Sequence, residues 1–138
     1  MTTGALRASC LCGGVRYTLS APVDTLTICH CHQCRRANGS AFHTVLVAPI
    51  DSVAFERSPT ITEYRSSPGK VRAFCAGCGA PVYSRRDDLP DLYRLRAGLI
   101  DDLPEPSGLR QQHRADAWPW LDRVAALIAR GGQDGAAS

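Results

Sequence analysis

Three thiols stand within six residues in Cys29-His30-Cys31-His32-Gln33-Cys34, and two further pairs, Cys10 with Cys12 and Cys75 with Cys78, lie far to either side. Core packing does not call for soft, acidic side chains at that density, so these positions read as metal ligands. The outer pairs together make a complete tetrathiolate set, and any fold must bring them together across more than sixty residues of chain. The C-x-C followed by C-x-x-C lets one tight loop turn three sulfurs towards a point about 2.3 Å from a zinc ion, with no fourth ligand supplied locally. Seven cysteines thus split as four plus three. A structural zinc site is closed by four protein ligands, whereas a catalytic one commonly keeps three and leaves a position for water or substrate.

A chain of 138 residues, 44% hydrophobic, has the size of one domain, small enough for metal staples to matter. The expectation is a single domain over 1–130 and a flexible tail over 131–138, where small polar residues offer no apolar face to bury. No apolar segment precedes Cys10, and no stretch approaches the roughly 18–20 apolar residues of a membrane span. These features, with thiols kept free for metal, lead us to expect a soluble cytoplasmic protein with no membrane partner. The formal charge is +3, and fifteen of the sixteen basic residues are arginine. Metal-bound cysteine is deprotonated, so seven thiolates around two zinc ions bring the balance near zero.

Local patterns point to a mainly β, largely antiparallel chain. Val15, Tyr17 and Leu19 alternate with polar residues as in a strand with one buried face. Leu26-Thr27-Ile28 delivers the chain into the three-cysteine loop, and Arg35 to Gly39 reads as a single helical turn. Further strands are expected at Phe42 to Val47, Val53 to Phe55, Ile61 to Tyr64, Val71 to Phe74, Pro81 to Tyr83 and Tyr93 to Ala97. Ser66-Ser67-Pro68-Gly69 closes a hairpin, and a polar loop is expected around Arg85 to Pro90. Trp118-Pro119-Trp120 precedes Leu121, Val124, Ala125 and Ile128, spaced for an amphipathic helix that ends at Gly131.

The sequence resembles the glutathione-dependent formaldehyde-activating enzyme family, also known as the domain shared with centromere protein V. The resemblance is carried by Cys10-Leu11-Cys12-Gly13-Gly14-Val15-Arg16-Tyr17, by Cys29-His30-Cys31-His32-Gln33-Cys34-Arg35 with Gly39 and Phe42, and by Phe74-Cys75-Ala76-Gly77-Cys78-Gly79. It runs from about Ser9 to about Trp120, leaving the C-terminal helix as an addition. It implies a β-tent fold with two zinc ions, a structural one on Cys10, Cys12, Cys75 and Cys78 and a catalytic one on Cys29, Cys31 and Cys34. The reaction it implies joins glutathione to formaldehyde as S-hydroxymethylglutathione, which makes the protein a carbon–sulfur lyase in the reverse sense. Its partners would then be a small thiol and a small aldehyde.

Three thiolates donate enough charge to weaken zinc as a Lewis acid towards carbonyls, which favours activation of an external thiol over hydrolysis by a metal hydroxide. His30 is sent away from Cys29 and Cys31 by alternation. His32, inside the C-x-x-C turn, is a candidate proton carrier or surface residue, and His43 and His113 read as packed or exposed. One of Arg35 and Arg36 is a candidate for gripping an anion. Phe42, Tyr83, Trp118 and Trp120 read as core or pocket wall. The rival readings are a non-catalytic zinc module that binds protein or nucleic acid, and a redox sensor built on the three-cysteine loop. The absence of any block of clustered basic and aromatic residues argues against nucleic acid.

Overall fold

The computed structural model describes residues 4–131. In chain order the strands and helices are β1 (Leu6–Ser9), β2 (Arg16–Leu19), β3 (Thr25–Cys29), α1 (His32–Asn38), β4 (His43–Pro49), β5 (Val53–Arg57), β6 (Ile61–Ser67), β7 (Lys70–Cys75), β8 (Pro81–Arg86), β9 (Leu89–Arg96), β10 (Gly108–Gln112) and α2 (Leu121–Arg130). They form a three-stranded sheet in the order β1-β2-β5 and a seven-stranded sheet in the order β10-β3-β4-β9-β8-β7-β6. The expected mainly β architecture with two helices is present.

The alternation of β2 does what its sequence dictates. Val15, Tyr17 and Leu19 are buried, and they join Leu46, Ala48, Ala73, Val82, Tyr83 and Leu95 of the large sheet in one core. Phe55 on β5 packs edge-on against Tyr17 at 5.5 Å and Tyr93 at 6.3 Å between ring centroids, stitching the two sheets together. Each such aliphatic or aromatic side chain contributes about 1.5–3 kcal/mol when fully buried.

The other face of the large sheet positions the site. Arg72 pairs with Ser84, and Ser84 with Arg94, across three strands; Val45 pairs with Arg96, and Cys29 with His43. Opposed residues share a face and so do residues two apart on a strand, so all of these lie on one side. α1 covers part of it. Asn38 of α1 donates from Nδ2 to the Cys34 carbonyl (2.6 Å) and accepts from Arg96 Nε (3.0 Å), which ties the helix to β9.

Several expectations need correction. The single helical turn expected at Arg35 to Gly39 is the end of a longer helix that starts at His32, with Cys31 as N-cap and Gly39 left-handed at its C-cap. The polar loop expected around Arg85 to Pro90 is instead a tight hairpin, because β8 continues to Arg86 and β9 begins at Leu89. β10 was not expected at all, and it pairs in parallel with β3, the exception in an otherwise antiparallel sheet. α2 forms where its pattern places it and ends at left-handed Gly131, but none of its residues is buried. Of the tail expected over 131–138, all but Gly131 lies outside the described residues.

Candidate metal centre and its pocket

The two outer cysteine pairs sit on knuckles built alike. In each, the N–H of the first cysteine bonds a carbonyl five residues on, Cys10 to Val15 at 3.0 Å and Cys75 to Ala80 at 2.9 Å. That reversal requires a left-handed residue, and Gly13 and Gly79 supply it, each at φ 79°. Backbone N–H groups then turn towards sulfur: Gly14 lies 3.4 Å from Cys12 Sγ and Val15 lies 3.3 Å from Cys10 Sγ. The sulfurs of Cys10, Cys12, Cys75 and Cys78 lie within 4.8 Å of one another, and Cys12 is 3.7 Å from both Cys10 and Cys75.

A tetrahedral ion with bonds of about 2.3 Å spaces its sulfurs about 3.8 Å apart. The set therefore has the chemistry and the spacing to hold zinc. The hydroxyl of Thr60, 3.1 Å from Cys75 Sγ, leads the influences that bring the Cys75 thiol down to about 6. The Gly14 N–H pulls Cys12 the same way, but the Cys75 and Cys10 sulfurs outweigh it and push Cys12 up to about 11. Four crowded thiols cannot all ionise unless a cation sits among them.

The second cluster grows from the sheet face described above. β3 ends on Cys29, Cys31 caps α1 by accepting the Cys34 N–H on its sulfur at 3.3 Å, and Cys34 is buried in the helix's first turn. The ligand atoms that come within 4.8 Å of one another are those of Cys29, Cys34 and His43. Arg72, itself buried, donates to Cys34 Sγ at 3.7 Å. Burial alone raises the Cys34 thiol, yet His43, Cys31 and Arg72 together bring it down to about 5. Cys29 goes the other way, pushed up to about 12 chiefly by burial and, against the pull of the Cys31 N–H, by the neighbouring Cys34.

Cys29, Cys31 and Cys34 form one wall of a pocket of about 730 Å³, within the usual range for a small-molecule site. The opposite wall is made by the β6–β7 turn with Lys70, by Arg86 to Asp88 in the β8–β9 turn, and by Arg94; Gln112 and His113 at the end of β10 close one side. Arg72 and Arg96 lie buried behind this wall, with no carboxylate partner among the described residues. Burial costs these cations: it pulls Arg96 down to about 10 and lowers Lys70 and Arg94. Arg86 is already paired with Asp88 at 2.6 Å, so the cations left to meet an anion in the pocket are Lys70 and Arg94, and with Arg72 and Arg96 behind them they favour an anionic occupant.

The sequence candidates are distributed unevenly. All three loop cysteines reach the pocket. His32 is exposed and faces Asp116 at 3.7 Å instead. His30 is buried against Phe42, its Nε2 3.2 Å from Gln111 Oε1. Arg35 stacks on Trp118 at 4.9 Å and Trp118 meets Trp120 edge-on at 5.5 Å, so that group clamps the outside of α1 and lies outside both core and pocket. The cations that do face the pocket, Lys70, Arg86 and Arg94, and the histidine beside the sulfurs, His43, were not singled out. The signal available for the arginines was the alternation Arg94-Leu95-Arg96 on a strand, which by itself reads as a solvent face.

Comparison with known proteins decides the family. Residues 5–120 match the model of the glutathione-dependent formaldehyde-activating enzyme. The chain belongs to this family. A relative from Halomonas elongata, named "Putative glutathione-dependent formaldehyde-activating enzyme", is 30% identical over 110 residues, covering 73% of this chain and 69% of that one. A crystal structure of a Rhodobacter sphaeroides protein shares the fold, with a TM-score of 0.60 at 20% identity over 75% of this chain and 98% of that chain. The family match takes in both cysteine clusters and stops just before α2. Among the described residues, no helix is long and apolar enough to cross a membrane.

Proposed function

We propose that the protein joins a small carboxylate-bearing thiol, with glutathione the first candidate, to formaldehyde or a comparably small aldehyde, and that it catalyses the reverse cleavage. The observation that carries this reading is the meeting of three thiols with a cationic pocket in a chain of this family. The balance is simple: the S–H proton ends on the former carbonyl oxygen as a carbon–sulfur bond forms, giving an S-hydroxymethyl thioether.

Lys70 and Arg94 hold the carboxylates of the thiol and turn its sulfur towards the cysteine wall. Cys10, Cys12, Cys75 and Cys78 serve as a structural zinc site, and the Cys29, Cys31 and Cys34 loop as the site where chemistry occurs. Cys29, Cys31 and Cys34 would hold a zinc ion, and zinc bound there would supply the positive charge that favours the deprotonated form of an added thiol. Arg72 at the base of the loop offsets the accumulated negative charge. A small aldehyde needs little of the remaining volume, so the site selects mainly on the thiol.

The test is carbon-13 NMR of labelled formaldehyde mixed with glutathione, which follows the exchange between free aldehyde and hydroxymethyl thioether. Zinc-loaded protein is expected to accelerate that exchange above the spontaneous rate, and Arg94→Ala to weaken saturation by glutathione. No acceleration with glutathione, cysteine or other carboxylate thiols would remove the enzymatic reading.

A further inference from the structure

We infer that His43 is an inner ligand of the second metal site in this chain, so that Cys29, Cys34 and His43 grip the ion and Cys31 is the donor left at the pocket wall. The inference rests on the proposed function only in taking the second cluster to bind metal, and it changes which side chains do the holding.

The register comes first. His43 is the residue directly opposite Cys29 on the neighbouring antiparallel strand, so their Cβ atoms are roughly 4.5–5.5 Å apart on one face. From there a ring nitrogen comes within 4.8 Å of both the Cys29 and the Cys34 sulfur. A tetrahedral ion bound at about 2.0–2.3 Å would draw these donors at most about 1 Å closer. Cys31 does not belong to that mutually close set, and its sulfur already accepts the Cys34 N–H.

The second observation is the state of the ring. His43 is only 3% exposed, and among the described residues neither Nδ1 nor Nε2 has an aligned hydrogen-bond partner, its polar neighbour being the Cys34 sulfur. A buried polar group left unsatisfied costs about 1–3 kcal/mol, and a histidine retained in the core for packing would normally find at least one acceptor. His30 shows the contrast, since one of its nitrogens is bonded to Gln111. A ring nitrogen stands within 4.8 Å of both the Cys29 and the Cys34 sulfur, so what the ring faces is a pair of metal-binding atoms. His43 lies behind the sulfurs, away from the pocket that Cys31 faces. Cys29, Cys31 and Cys34 all border that pocket, and His43 adds a donor from the side that does not.

The test uses full-length protein, cadmium-113 NMR and cobalt(II) titration. Wild type labelled with nitrogen-15 histidine and loaded with two cadmium ions is expected to show coupling between one cadmium and an imidazole nitrogen, while the other cadmium keeps a four-sulfur shift. His43→Gln should weaken binding of the second cobalt at least about 100-fold, beyond the roughly 10–100-fold that loss of an outer-sphere partner costs. Cys31→Ser should weaken it less. Circular dichroism and the spectrum of the first cobalt serve as the check that His43→Gln is folded. If that variant is unfolded, the nitrogen–cadmium coupling in wild type decides alone. Absence of that coupling, or a second-cobalt spectrum and affinity unchanged by His43→Gln, would overturn the inference while leaving a metal-binding second site. Uptake of one ion only by wild type would overturn the inference and the metal-dependent function together.

Discussion

Replacing Cys78 by serine removes one of the four donors that join the two knuckles. The sulfurs of Cys12 and Cys75 are 63 residues apart in sequence and 3.7 Å apart in space, so an ion between them cross-links a long loop. Treated as a covalent cross-link, closing a loop of that length restricts the unfolded chain by about 4 kcal/mol. A domain of this size has in total roughly 5–15 kcal/mol. The Cys29 to Cys34 loop offers a contrast, because its ends are already held by β3 and α1 and its few residues carry little closure entropy. Urea unfolding of zinc-loaded protein, followed by circular dichroism, measures both. Cys78→Ser is expected to lower the midpoint by roughly 1.5–4 M for a slope of about 1–3 kcal/mol per M, or to prevent folding outright. Cys31→Ser is expected to stay within about 1 kcal/mol of wild type. Equal losses in the two variants, or a wild-type midpoint indifferent to a zinc chelator, would refute the cross-link argument.

Glu63 accepts from Tyr83 Oη at 3.0 Å and from Arg85 Nε and Nη2 at 3.0 and 3.3 Å, and Arg85 leads the influences that hold its carboxyl below the ordinary carboxylate range. A depressed folded-state value stabilises above the unfolded value and is lost as pH falls through the folded one; the pair is about a third exposed, so Glu63→Gln should cost about 0.2–1 kcal/mol at pH 7 and progressively less in urea unfolding as the pH is lowered below the unfolded value of about 4.3. Gly39 ends α1 at φ 63° with nothing within 4 Å of a built Cβ, so Gly39→Ala should cost about 1–2 kcal/mol in thermal unfolding through backbone strain alone.

Features that depend on local spacing were legible in the sequence. The knuckles at Cys10 and Cys75, the alternating strand around Tyr17, the hairpin at Pro68-Gly69 and the stop at Gly131 each follow from a few adjacent residues. What depends on a remote partner was not. β10, reading Gly108-Leu109-Arg110-Gln111-Gln112, lacks apolar alternation because it is an edge strand with little buried surface, and only β3 makes it a strand. Arg96 looks like a wet face until α1 is laid over it, and Arg94 until β10 and the thiol loop enclose the pocket it borders. His43 looks like a packed strand residue until β3 brings Cys29 opposite. The helix α2 shows the converse: its amphipathic pattern is genuine, yet Leu127 and Ile128 remain 51% and 73% exposed, because a pattern specifies a face without naming what covers it.

The parallel pairing of β10 with β3 also sets an order of events in folding. Gly108 meets Thr25 across a separation of 83 positions in the chain, and contacts of such separation form late and slowly. A chain leaving the ribosome therefore presents Thr25–Cys29 as an unpaired edge, with three reactive thiols at its end, until Gly108–Gln112 arrive. Open edges of this kind recruit foreign strands. The same late strand delivers Gln112 and His113 to the pocket, so the thiol loop exists in the nascent protein before one side of its enclosure does, and the interval between the two is when the chain is most exposed to oxidation and to aggregation.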